Sequence, residues 1–146
     1  MPNWLRALLA IFGVLVLVVV AIGFAAFRWM KVHGTEFAER SKAVVAEGRT
    51  FGEGKSANDC VEEGLRRARA SSGFMASVNV RVFSSACFRA ATVPPDFCSA
   101  VPTSIMDSAR WASEQCSKRK LGGDQACIGV FQEMTVACER RSGAAR

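Results

Sequence analysis

Between Arg6 and Arg28 lies an unbroken stretch, residues 7–27, built only of Ala, Leu, Ile, Phe, Gly and Val. As a helix at ~1.5 Å per residue it is about 31 Å long. That length matches the ~30 Å hydrocarbon core of a bilayer. Trp4 and Trp29 stand just outside the two arginines, where amphipathic rings settle among lipid headgroups. A buried helix of a water-soluble protein has no need of charges and tryptophans at both ends, so residues 7–27 are predicted to cross a membrane, preceded by a short tail, residues 1–6. A cleaved signal peptide is the competing reading, with Ala21, Ile22 and Gly23 as a small-residue cleavage site. Against it, the apolar character continues past that site to Phe27.

The chain has six cysteines, and all of them follow the apolar run: Cys60, Cys87, Cys98, Cys116, Cys127 and Cys138. An even and dense set of thiols on a membrane-delivered segment points to an oxidising compartment. The flanking charges argue the other way. Arg6 precedes the run while Arg28 and Lys31 follow it, a bias that favours a cytoplasmic C-terminal part. We weight the cysteines more heavily because their spacing has a geometric reason, developed below. Arg and Ala are preferred over Lys, as in GC-rich bacteria, so the location expected is a bacterial inner membrane with the C-terminal domain in the periplasm.

Residues 28–47 have helical composition and are expected to continue from the membrane segment as a juxtamembrane helix. Gly48, Gly52 and Gly54 then suggest a flexible linker over residues 48–55. Ser56 and Asp59 form a capping-box pattern that opens a helix to about Ala70, with a stripe of Cys60, Val61, Gly64, Leu65 and Ala68. On its opposite face Glu62 with Arg66 and Glu63 with Arg67 are spaced as i,i+4 ion pairs. Gly73 breaks that helix. Residues 74–91 read two ways: Phe74, Ala76, Val78, Val80 and Val82 alternate like a strand, while Val78, Val82, Ala86 and Ala90 follow a helical stripe. From Thr103 a stripe of Ile105, Ala109, Ala112 and Cys116 runs to Gly122 and Gly123. Asp124 then caps a last helix with the stripe Cys127, Val130, Phe131, Met134 and Cys138. The stapled domain is placed at residues 56–140 and a flexible tail at 141–146.

In an antiparallel helical hairpin, residues equidistant from the turn face each other. Cys116 and Cys127 are centred beside Gly122, and Cys60 and Cys87 beside Gly73, so each pair straddles a turn marked independently by glycine. This symmetry favours helix over strand for residues 74–91 and leaves Cys98 to pair with Cys138. The competing set joins Cys87 to Cys98 and Cys60 to Cys138. A bond between Cys127 and Cys138 is excluded, because three turns of one helix separate them by ~16 Å and a disulfide needs Cα atoms within ~7 Å. The fold class expected is all-α: one N-terminal transmembrane helix followed by a small disulfide-stapled bundle of two helical hairpins.

Function is far less legible. The stretch from Gly48 to Ser56 imitates a phosphate-binding loop, but Gly48 lies one residue too far from Gly54, Lys55 and Ser56, and no strand precedes it. The single histidine, His33, lies outside the cysteine-bearing part, which excludes a His-based triad or a multi-His metal centre there. Asp59, Asp96, Asp107, Glu114, Asp124 and Glu133 are scattered, and no catalytic residue, cofactor or metal ligand is assigned. The net charge of +6 concentrates in Arg66, Arg67 and Arg69 and in Lys118, Arg119 and Lys120, beside the two expected turns. Such a surface suits a membrane, a protein partner or anionic lipid headgroups. Nucleic acid is not expected for an exported domain. The reading is a membrane-anchored binding or assembly factor and not an enzyme; the alternative is a cytosol-facing thiol or metal-handling protein.

Overall fold

The computed structural model describes the backbone of residues 3–144; the side chains of residues 3, 5–10, 30, 32–37 and 144 fall outside the described set. Among the described residues the chain forms α1 (Asn3–Gly52), α2 (Ala57–Ala70), α3 (Phe74–Ala90), α4 (Ile105–Lys118) and α5 (Gln125–Ala144), with no strand. It divides into two compact units, Met1–Arg40 and Ser41–Arg146. The first unit is helical already from residue 3, where a short tail was expected, and the side chain of Arg6 lies outside the described residues. Ile11–Trp29 is long and apolar enough to cross a membrane. Every side chain from residue 11 to 29 is exposed, Leu17 and Phe12 included, so no face of this segment packs on protein. A helix apolar on all sides has the composition of a membrane-spanning segment or of a helix buried in a large core. Trp4 and Trp29 are exposed at its two ends.

In the second unit the expected capping box is present. The Ser56 hydroxyl accepts from the Asn58 N–H at 3.2 Å, and the Ser56 N–H donates to the Asp59 carboxylate at 2.8 Å. The predicted stripe of α2 is buried throughout. Residues 74–90 are helical, and Ala91, expected in the same segment, is the extended cap. The buried residues of this helix are Val80, Phe83, Ser84, Ala86, Cys87 and Phe88; of the helical stripe read in the sequence Ala86 is buried, while Val78, Val82 and Ala90 are half-buried at its edge. The α4 stripe is rotated: Ser108, Ala112 and Cys116 are buried while Ile105 is 82% exposed. On α5, Asp124 caps the helix by accepting from the Cys127 N–H at 2.7 Å, and Cys127, Val130, Phe131 and Cys138 line the core. The helix runs to Ala144, so most of the expected tail is ordered. Arg141 donates to the Val93 carbonyl at 2.8 Å, while residues 145–146 lie outside the described set.

The linker expected at residues 48–55 is the clearest difference. Gly48 and Gly52 belong to α1, and both are buried against α3. A Cβ on Gly48 would sit 2.5 Å from the Phe83 carbonyl oxygen, and one on Gly52 would sit 2.5 Å from that of Cys87. These glycines are one helical turn apart and serve close backbone approach, not flexibility. Only residues 53–55 turn, around Gly54 at φ 74°. Mutual bonds from the Ala57 N–H to the Thr92 carbonyl (2.8 Å) and from the Thr92 N–H to the Lys55 carbonyl (2.9 Å) then fix the start of α2 on the end of α3.

The disulfides are Cys60–Cys87, Cys98–Cys138 and Cys116–Cys127, with Cα separations of 5.8, 5.6 and 6.0 Å. The first staples α2 antiparallel to α3, and the last staples α4 antiparallel to α5. Arg81 lies beside Gly129 and binds Glu133, while Val93 meets Arg141, so α3 and α5 run parallel. Residues 41–52 also run parallel to α3, since Gly48 meets Phe83 and Gly52 meets Cys87. Two consequences follow: both hairpin turns lie at one end of this unit, and the chain enters the unit at that same end.

Candidate functional site

The six basic residues singled out in the sequence do lie at the end that carries both turns, but their chemistry divides them. Arg67 is a structural pin. Its Nε donates to Glu63 at 2.8 Å, its Nη2 donates to Glu47 at 2.6 Å, and its guanidinium stacks 3.6 Å from the centroid of the fully buried Phe83 ring. One side chain thereby ties α1, α2 and α3. Arg66 turns back to Glu63 through a two-pronged contact at 2.7 Å, so the Glu62–Arg66 pair expected from spacing is replaced by an i,i+3 pair. Hydrogen bonds from Arg66 and then Arg67, against opposing burial, pull the Glu63 carboxyl from 4.5 down to about 2. Arg119 lies 5.0 Å from the Phe131 ring centroid and donates to both the carbonyl and the side-chain oxygen of Gln115, each at 3.0 Å.

Three of the six remain open. Arg69, Lys118 and Lys120 are exposed, and their side chains have no ion-pair or hydrogen-bond partner among the described residues. Lys120 holds φ 60°, a left-handed conformation that glycine usually supplies. It stands at the C′ position of a Schellman turn: its N–H bonds the Ser117 carbonyl at 3.1 Å and the Leu121 N–H bonds that of Cys116 at 2.9 Å. The stop signal of α4 is therefore Lys120, ahead of Gly122 and Gly123.

Two apolar residues at this end escaped the sequence reading. Phe74 is 79% exposed and Met75 is 49% exposed, in the first turn of α3 directly after Gly73 at φ 89°. The sequence reading places Phe74 in the alternating pattern and does not single out Met75. The available signal was position, since the first turn of a short helix overhangs the core stripe that begins at Val80.

Elsewhere the described surface holds open clefts, such as that lined by Val45, Arg49, Ala86 and Arg89. No group of three or more His, Cys, Asp or Glu side chains that could hold a metal ion occurs among the described residues. All six cysteines are bonded, leaving no free thiol. Glu133, nearly buried, is paired with Arg81 at 2.8 Å in a contact between α3 and α5. Comparison with protein-family models, with curated proteins and with solved structures gives no match.

Proposed function

We propose that this is a single-pass membrane-anchored protein whose stapled helical domain stands on the extracytoplasmic side, the periplasmic face of a bacterial inner membrane, and acts there as a binding or assembly factor. The observation that carries this reading is a combination: an apolar helix exposed along residues 11–29, followed by a domain in which all six cysteines are paired, two bonds joining helices and Cys98–Cys138 joining the α3–α4 connection to α5. Three disulfides in so small a unit suit an oxidising compartment. A binding role fits the end that carries both hairpin turns, where the cations Arg69, Lys118 and Lys120 stand beside the exposed Phe74 and Met75. The bias of Arg28 and Lys31 over Arg6 favours the second reading, a cytosol-facing thiol or metal-handling protein. A reporter fused after residue 146 decides between them. Activity of a reporter that works only outside the cytoplasm is expected, and activity of a cytoplasm-only reporter would reverse the orientation.

A further inference from the structure

The end of the helical unit that carries both hairpin turns unites three features that no single helix would bring together. It presents the unpartnered cations Arg69, Lys118 and Lys120. It presents the exposed apolar pair Phe74 and Met75. It is also the end through which the chain enters from the apolar segment, because residues 41–52 run parallel to α3. Only residues 30–40 separate that segment from this unit, a connection of about 40 Å even when fully extended.

Building on the anchored reading above, we infer that this end docks on the bilayer spanned by the chain's own apolar segment: Arg69, Lys118 and Lys120 engage anionic headgroups while Phe74 and Met75 enter the acyl boundary. Cations rimming an exposed aromatic and a flexible thioether are the composition of an interfacial binding surface. A purely electrostatic protein contact would account for the lysines but not for an aromatic ring left almost wholly uncovered at the tip. Tethering raises the local concentration of lipid at this end above that of any free partner. The left-handed backbone at Lys120 fits the same picture, since the turn keeps a cation where glycine would be less strained.

The test uses the full chain reconstituted in phosphatidylcholine vesicles with and without phosphatidylglycerol. Photoreactive p-benzoylphenylalanine is placed at Phe74 or, as a control, at Ile105, which is exposed at the start of α4 about 20 Å from the turns. Lipid adducts are expected at position 74, several-fold above position 105. They should fall in phosphatidylcholine alone and in an R69Q/K118Q/K120Q variant whose disulfide map is unchanged, docking weakening about fivefold per charge removed. Equal adduct yields at 74 and 105, or a yield indifferent to headgroup and charge, would overturn the inference. A protein adduct at 74 in native membranes in place of lipid would overturn it in favour of an acidic partner. Carbonate extraction separates this failure from failure of the anchored reading: a chain that stays with the membrane yet gives no lipid adduct at 74 loses the docking alone, whereas a released chain loses the anchor.

Discussion

Replacing Gly48 with alanine distinguishes a linker or an open helix from a packed one. In a flexible linker the substitution is near neutral, because the chain is free in both states, and in an open helix it stabilises by about 0.4–1 kcal/mol, because alanine restricts the unfolded chain and favours helix. In the structure the new methyl would lie 2.5 Å from the Phe83 carbonyl oxygen and 3.0 Å from the Ala86 Cβ, the first a backbone atom that no rotamer change can move. Relief requires residues 41–52 to back away from α3 by roughly 1 Å, an overpacking cost of about 1–3 kcal/mol. That movement also loosens the Phe51–Phe83 ring contact, at 5.8 Å between centroids, and the Arg67–Glu47 pair. The net expectation is a loss of about 1–2 kcal/mol, since the steric cost exceeds the propensity gain. For a unit of about 100 residues this lowers the melting temperature by roughly 4–12 °C. Thermal unfolding of the full chain in detergent, with disulfides intact, reads it directly. Gly143→Ala is the control: it lies on α5 with nothing near its Cβ and should be neutral or slightly stabilising. A Gly48→Ala protein that melts above wild type would refute the close packing of α1 on α3.

Arg67→Ala should cost about 2–3 kcal/mol by removing a ring contact and two ion pairs, whereas Arg66→Ala, at a mostly exposed side chain, should leave the denaturant midpoint nearly unchanged; denaturant midpoints compare the two. The Glu63 carboxyl is depressed from 4.5 to about 2, so its stabilising contribution is present above pH 4.5 and is lost as pH falls toward 2. A Glu63→Gln protein should therefore lose stability less steeply across that window in an acid titration. Removing Cys98–Cys138, with a sequence separation of 40, should cost about 4 kcal/mol and removing Cys116–Cys127, with a separation of 11, about 3 kcal/mol by chain entropy, measured on paired Cys→Ser variants. Lys120→Gly should raise the melting temperature, because glycine relieves about 1 kcal/mol of left-handed strain.

The hairpins were legible because two kinds of signal agreed: glycines marked the turns, and cysteine pairs were centred on them. The strand-like alternation of Phe74, Ala76, Val78, Val80 and Val82 was misleading, since Phe74 is uncovered and only Val80 of that set is fully in the core. Gly48 and Gly52 misled for a different reason. Glycine serves both loose chain and close helix packing, and the sequence does not reveal a carbonyl of α3 waiting at 2.5 Å. The stripe of α4 was half right: Ala112 and Cys116 are buried, but the core face continues through Ser108, whose hydroxyl donates to the Ser104 carbonyl, and so leaves Ile105 and Ala109 outside. Of the basic cluster, composition showed the charge but not its partners. Arg67 and Arg119 are held by aromatic rings on other helices, contacts between residues distant in sequence that no local pattern encodes.

The central claim is that the cysteine-bearing domain matures in an oxidising compartment while still joined to its apolar helix. Intact-mass analysis of the full chain, alkylated in whole cells before lysis, tests both halves at once. The account predicts a mass that retains the apolar segment, no alkylation of any cysteine before reduction and six modified cysteines after it. Alkylation of the cysteines without reduction would contradict the oxidised, extracytoplasmic domain, and a mass lacking the residues before Phe24 would contradict the anchor.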